Sequence, residues 1–134
     1  MQSIFELKEK ITFDLTVFDQ MKQKAEELLS NIDKSKYTQV IVLLSAKENE
    51  YSIVVRDALS KQNVDENLLI FKLQEAKDSE ICFVLCMWQD SCIDVPSFNF
   101  RKLLLGLNEK NSETTMFVET ADGISGVKLL STMK

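Results

Sequence analysis

Residues 81–92, ICFVLCMWQDSC, contain all three cysteines of the chain and its single tryptophan. The first eight residues are apolar and mostly branched, aromatic or sulfur-containing, which predicts a strand over 81–88. On a strand, four residues span roughly 13 Å, whereas a disulfide needs Cα atoms within about 7 Å of each other. Cys82 and Cys86 therefore can neither bond to each other nor share a metal ion, and we expect them to act as small core residues. Cys92 falls in the following turn, where a reactive thiol stays open as an alternative.

A strand this apolar needs a cover, and two helical patterns flank it. Apolar residues recur at helical spacing over 17–32, with Thr16 as a candidate cap. We expect this helix to cover at least one face of a central strand at 81–88. A shorter second helix is expected to begin at Pro96 and to end near Asn108.

Several other segments have the composition of strands. Residues 37–45 and 51–57 are rich in branched and aromatic side chains and are separated by a polar turn, which predicts a hairpin. Further strands are predicted at 10–15, 68–74 and 113–120.

These elements predict an α/β (α+β) fold. At 134 residues, the chain has the length of one ordinary domain, so 1–134 is expected to be a single globular domain. We expect one mixed, mostly antiparallel sheet of five or six strands, flanked by a long N-terminal helix and a shorter second helix. Two segments stay open: 58–67 is a short helix or a loop, and 124–133, after a hairpin signal at Asp122-Gly123, is a strand or a terminal helical turn.

Charge and length narrow the function classes. The formal net charge is −5, and the lysines and arginines are scattered. Nucleic-acid binding normally needs a dense cationic face, so we expect no nucleic-acid partner, and no membrane, because no apolar run reaches the length of a membrane span. The early charges in MQSIFELKEK argue against a secretory signal. We therefore expect a cytoplasmic protein with reduced cysteines.

Much catalytic chemistry is missing from the sequence. The chain has no histidine and only three glycines, which removes Ser-His-Asp and Cys-His catalysis and glycine-rich phosphate loops. Asp90 and Asp94 flank the end of the strand at 81–88 and could act as an acid–base pair if burial separated their pKa values. A solvated turn is the expected explanation. We expect no catalytic residues, no cofactor and no metal, hence no enzyme.

The order of the predicted elements resembles the actin-depolymerising factor homology domain, the cofilin-like fold. The stretches that resemble it are KYTQVIVLLS (36–45), EYSIVV (50–55), ICFVLCMWQDS (81–91), FRKLLLGL (100–107) and MFVETADGIS (116–125). The resemblance implies a protein that binds actin through its long helix. It would make Arg101 and Lys102 basic contacts to actin, although each alone also fits a solvated helix face.

Two functions follow as expectations. The first is a non-catalytic protein-binding module, a divergent cofilin-like actin-binding protein. The alternative is a small acidic immunity or inhibitor protein that neutralises a basic toxin or nuclease by charge complementarity. In both cases another protein is the partner, and the oligomeric state stays open. The residues expected to contact that partner are Asp90, Asp94, Ser97, Arg101 and Lys102.

Overall fold

The structure is a computed structural model that describes residues 15–32, 37–60 and 63–133. Three α-helices and five strands follow one another along these residues. The helices are α1 (Leu15–Ser30), α2 (Val64–Glu75) and α3 (Phe98–Leu107). The strands are β1 (Gln39–Ser45), β2 (Glu50–Val55), β3 (Ile81–Trp88), β4 (Thr115–Thr120) and β5 (Gly123–Lys128). Two short 3-10 helices lie at Glu109–Glu113 and Leu129–Met133.

The strands form one sheet in the order β2-β1-β3-β4-β5. β1 pairs antiparallel with both β2 and β3, β4 pairs antiparallel with β5, and the β3–β4 pair alone is parallel. The predicted mixed, mostly antiparallel sheet is therefore confirmed, with five strands among the described residues. β3 lies at its centre, as the apolar stretch at 81–88 predicted.

Helices cover both faces of this sheet. On one face, Phe18 and Met21 of α1 pack with Leu85 and Met87 of β3 and with Phe117 of β4. The Phe18 and Phe117 rings meet edge to face with centroids 5.1 Å apart, an arrangement that aromatic pairs prefer. The prediction that the N-terminal helix covers the central strand is confirmed.

The other face of the sheet is covered by α2 and α3. Leu69 and Leu73 of α2, and Phe100 and Leu104 of α3, are fully buried against residues such as Cys86 of β3. Successive residues of a strand point to opposite faces, so β3 supplies both cores. Each fully buried side chain of this size stabilises the fold by about 1.5–3 kcal/mol.

The predicted strand at 68–74 is wrong, because these residues belong to α2. Leu69 and Leu73 face the core, but Leu68 and Phe71 are exposed on the outer side, so apolar residues on both sides hide the helical period. A local signal favours the helix: Asn63 caps it by accepting a hydrogen bond from the Glu66 backbone N–H at 3.1 Å. For 58–67, where a short helix or a loop was left open, the last four residues form the first turn of α2, which begins at Val64, and residues 61 and 62 lie outside the described ranges.

The other boundaries need smaller corrections. The helix predicted to begin at Pro96 begins at Phe98, with Ser97 as its cap. Residues 124–133 combine both alternatives, since β5 is followed by a 3-10 helix. Gly123 opens β5 with φ of 112°, a conformation that favours glycine. The strand predicted at 10–15 lies outside the described residues, apart from Leu15, which is the first residue of α1.

Candidate functional site

Helices α2 and α3 begin close to each other, and a buried carboxylate lies between their first turns. Glu66, in the first turn of α2, is 2% exposed. The Ser97 hydroxyl, at the cap of α3, donates to the two Glu66 carboxylate oxygens at 2.9 and 3.1 Å. The same hydroxyl oxygen accepts from the Phe100 backbone N–H at 3.1 Å. One serine therefore caps its own helix and binds the neighbouring helix.

Burial sets the protonation behaviour of this carboxyl group. Desolvation raises the pKa of Glu66, and the nearby charge of Asp65 raises it further. Hydrogen bonds from Ser97 and from the Asn99 side chain act in the opposite direction without cancelling the effect of burial. A carboxyl group in such an environment resists ionisation more than one in water.

The surface beside Glu66 is apolar and partly aromatic. Val64 is 71% exposed and Phe98 is 57% exposed, and the Asn99 side chain next to them is exposed as well. The Arg101 guanidinium carbon lies 5.8 Å from the centre of the Phe98 ring, within the range of a cation–π contact. The site thus combines an exposed ring face with a buried hydrogen-bonding group.

The other predicted contact residues are spread around this region. Asp90 lies in the exposed turn after β3, where its side chain accepts from the Cys92 backbone N–H at 3.0 Å. The side chain of Asp94, half-buried, accepts from the Val95 backbone N–H at 2.7 Å. Both carboxylates thus hold the turn between β3 and α3, and Lys102 is exposed on α3. Of the five predicted residues, Ser97 is the one that contacts Glu66.

Arg101 differs from its expected exposure. It is 9% exposed, and its guanidinium donates to the backbone carbonyls of Pro96 and Thr132, each at 3.0 Å. The side chain joins the first turn of α3 to the last 3-10 helix. Arg101 is therefore neither a solvated helix residue nor a freely accessible contact.

The expectation that Cys82 and Cys86 are core residues is confirmed for Cys86 alone, because Cys82 is not part of the core. All three are free: Cys86 is buried, Cys82 is half-buried and Cys92 is exposed. Burial raises the pKa of Cys82 and places that of Cys86 well above its usual value. A hydrogen bond with Asp90 is the main cause that raises the pKa of Cys92. Since the thiolate is the nucleophilic form, none of the three is an activated nucleophile.

Similarity to known proteins is found in the fold. No protein-family model and no curated protein sequence matches the chain. The cytidine deaminase from Bacillus anthracis matches with a TM-score of 0.66 and 12% identity, over 84% of each chain. The enzyme from Mycobacterium leprae matches with a TM-score of 0.61 and 16% identity, over 81% of this chain and 92% of its own. For that from Burkholderia pseudomallei the values are 0.60 and 8%, over 83% and 91%.

These likenesses correct the expected family. The neighbours are cytidine deaminases, so the predicted cofilin-like domain is wrong, and the expected actin partner falls with it. The physical reason is that residues 68–74, which were expected to form a strand, belong to helix α2. The neighbours give no support to an acidic inhibitor of a toxin or nuclease either. Because they are enzymes named for a small substrate, the expectation of a non-catalytic module with a protein partner is overturned as well.

The zinc chemistry of such enzymes does not fit the residues of this site. Zinc-dependent deaminases take their ligands from an H-x-E and a P-C-x-x-C signature, in which His may be Cys. Here the corresponding spacing occurs at Val64-Asp65-Glu66 and at Pro96-Ser97-Phe98-Asn99-Phe100, at the starts of α2 and α3. The glutamate and the proline are present, but all three ligand positions hold other residues. Among the described residues, no group of three or more metal-binding side chains comes together.

Sequence reasoning missed Glu66 and Asn99. One local signal pointed to Glu66, because Asn63 followed by a glutamate three residues later is typical of a helix start. The contact between Glu66 and Ser97 spans 31 residues, so no local pattern indicates it. Concerning membranes, none of the helices in the described ranges has the length and apolar character to cross a bilayer.

Proposed function

We propose that this protein binds a small planar ring carrying an amino group, such as a pyrimidine nucleobase or nucleoside, at the starts of α2 and α3. The observation that supports the proposal is the buried Glu66 carboxyl bound by Ser97, the residue just before the exposed Phe98. Ligand sites in proteins are mostly apolar, with a few polar groups that fix orientation. The likeness of the fold to cytidine deaminases supports the choice of ligand.

The polar half of the site suits an amino-substituted ring. A carboxylate accepts hydrogen bonds from the exocyclic amino group of cytosine. The Asn99 side chain lowers the pKa of Glu66 and is exposed, so a ligand amino group can take its place. Ser97 stays in place, because it also caps α3.

The apolar half of the site suits the face of the same ring. Stacking of a base on an aromatic side chain is worth about 1–3 kcal/mol. Phe98 presents its ring to solvent beside Asn99, and the Arg101 guanidinium lies near it. We expect one ligand to contact both the Phe98 ring and the Glu66 carboxyl.

The test is a calorimetric titration of the full chain with cytidine, cytosine, uridine and a purine nucleoside. We expect saturable binding of cytidine or cytosine at one site per chain. Phe98→Ala is expected to weaken that binding about tenfold, since one stacking contact is lost. The matched control is Phe71→Ala. Phe71 is 54% exposed, close to the 57% of Phe98, but lies on α2 two turns after Val64.

Two results would contradict the proposal. One is the absence of saturable binding for every pyrimidine tested. The other is an equal loss of affinity in the Phe98→Ala and Phe71→Ala variants, which would point to a nonspecific apolar surface. Absorbance of the same mixtures reports any loss of the ring amino group, so turnover at the site is measured in the same experiment.

Three earlier expectations continue as part of this proposal. Residues 1–134 are treated as one domain, and the expected compartment is the cytoplasm. The three free cysteines support the compartment, since oxidising compartments favour disulfides. Among the predicted contact residues, the proposal uses Ser97, while contacts of a partner with Asp90, Asp94 or Lys102 stay predictions.

A further inference from the structure

The starts of α2 and α3 carry the spacing of the zinc-deaminase signature but not its ligands. In zinc deaminases, ligands from the H-x-E and the P-C-x-x-C segments bind one zinc. This chain contains no histidine, and its three cysteines lie at positions 82, 86 and 92, on β3 and in the turn after it. The two helix starts must therefore be held together in another way.

We infer that a carboxylate–hydroxyl bridge between Glu66 and Ser97 joins the two helix starts in this protein, and that the site is complete without zinc. The bridge joins the two helix starts whether or not a ligand is bound. It does not depend on the ligand proposed above, and its tests need no ligand.

The residues at the three ligand positions of the signature support the inference. Phe100 is fully buried in the core with α2 and β3, so its ring fills space rather than lining a metal cavity. Val64 is 71% exposed and directed to solvent. Ser97 is the one ligand position with a polar side chain, and its hydroxyl is already committed to Glu66 and Phe100.

The geometry of the bridge is that of an ordinary hydrogen bond. The shorter Ser97–Glu66 distance, 2.9 Å, lies within the range for an O–H···O hydrogen bond. Because one hydroxyl serves both the cap of α3 and the carboxylate of α2, loss of Ser97 loosens both helix starts at once.

The first test measures metal. Protein purified from zinc-supplemented cells is dialysed, and its metal content is measured by mass spectrometry. Melting curves are then recorded with EDTA and with added zinc chloride. We expect far less than one zinc per chain and the same melting temperature in all three conditions. One tightly held zinc per chain, or a melting temperature that EDTA lowers, would overturn the inference.

The second test measures coupling between the two side chains. Glu66→Ala and Ser97→Ala are each expected to lower the melting temperature on the order of 5 °C. If the bridge joins them, the double variant loses clearly less than the sum of the two. Ser97→Thr retains a hydroxyl and a cap, so it is the matched control and is expected to melt near the unmodified protein.

Losses that simply add would overturn the bridge. If Glu66→Ala does not fold, Glu66→Met takes its place in the cycle, because methionine has a similar length and removes the acceptor.

Discussion

Two carboxylates in this protein are equally buried and behave in opposite ways. Asp78, between α2 and β3, and Glu66 are each 2% exposed. One oxygen of Asp78 accepts from Ser45 and Tyr51 at 2.8 Å and from Asn49 at 3.0 Å. Desolvation acts to raise the pKa of Asp78, but these bonds and the charge of Lys47 outweigh it, so the pKa is lowered. At Glu66, desolvation wins and the pKa is raised.

The two groups also differ in their donors. Asp78 has three side-chain donors and a nearby cation, so its negative charge is well compensated. Glu66 has two side-chain donors, one of them the exposed Asn99. Asp78 thereby joins β1, β2 and the turn between them through its hydrogen bonds. Glu66 has fewer donors and can accept a hydrogen bond from a ligand, which is why Glu66 and not Asp78 is the candidate ligand group.

The largest expected effect comes from removing the compensated charge. Asp78→Ala leaves three donors without their acceptor, and each buried unsatisfied group costs about 1–3 kcal/mol. Since Asn49 and Tyr51 can partly reach water, we expect a loss of about 3–4 kcal/mol in the free energy of unfolding, measured by urea denaturation. Glu75→Ala, an exposed glutamate three residues earlier, is the control and should stay within about 0.5 kcal/mol. Similar losses in both variants would remove the contrast.

A second, smaller effect concerns the support of the Glu66 region. Arg101→Ala removes two hydrogen bonds from a buried guanidinium to backbone carbonyls, and we expect denaturation to show a loss of about 2–3 kcal/mol. The neighbouring Lys102 is exposed, so Lys102→Ala should change stability by less than about 0.5 kcal/mol. Equal effects in the two variants would return Arg101 to the solvated helix face that the sequence alone suggested.

Sequence reasoning succeeded for the sheet and failed for helix α2 and for the site. The sheet was predictable because β1, β2, β3 and β4 are apolar segments bounded by polar turns. Helix α2 was not, because Leu68 and Phe71 are exposed apolar residues on its outer side and obscure its periodicity. The site was missed for a different reason. Ser97 was singled out, but its partner lies 31 residues away, and only the packing of α2 against α3 brings them together.

The pH dependence of stability should separate the two carboxylates by sign. Asp78 has a lowered pKa when folded, so the unfolded chain binds protons first as the pH falls below about 4. Its contribution to stability is present at neutral pH and is lost in acid. Glu66 has a raised pKa when folded, so the folded chain binds the proton first. Its ionisation therefore costs stability as the pH rises from about 4.3 through the folded pKa.

The measurement compares Asp78→Asn and Glu66→Gln with the unmodified protein in urea between neutral and acid pH. The destabilisation caused by Asp78→Asn should shrink as the pH falls below about 4. The difference between the unmodified protein and Glu66→Gln should change in the opposite direction, with the unmodified protein gaining relative stability as the pH falls toward 4.3 or so. Two curves of the same slope would contradict the opposite pKa shifts of the two groups.

The smallest expected effect is local and uses the cysteine of the central strand. Cys86 lies in the core beneath α2 and α3, so its reaction with a thiol reagent reports opening of the Glu66 region. The serines offer a matched pair, because Ser97 donates to Glu66 and Ser45 donates to Asp78. Ser97→Ala should speed labelling of Cys86 several-fold more than its loss of global stability accounts for. For Ser45→Ala, the loss of global stability should account for any faster labelling.

Mass spectrometry of peptides follows all three cysteines in one sample. In the unmodified protein we expect Cys92 to react first, Cys82 more slowly and Cys86 last, in the order of their exposure. Cys92 also serves as the internal control, because its exposed turn should react at one rate in every variant. If both serine variants speed Cys86 alike, the two carboxylates belong to one cooperative unit, and the site between α2 and α3 has no separate opening. A faster reaction confined to Ser97→Ala would show that a ligand can reach Glu66 without unfolding the sheet beneath it.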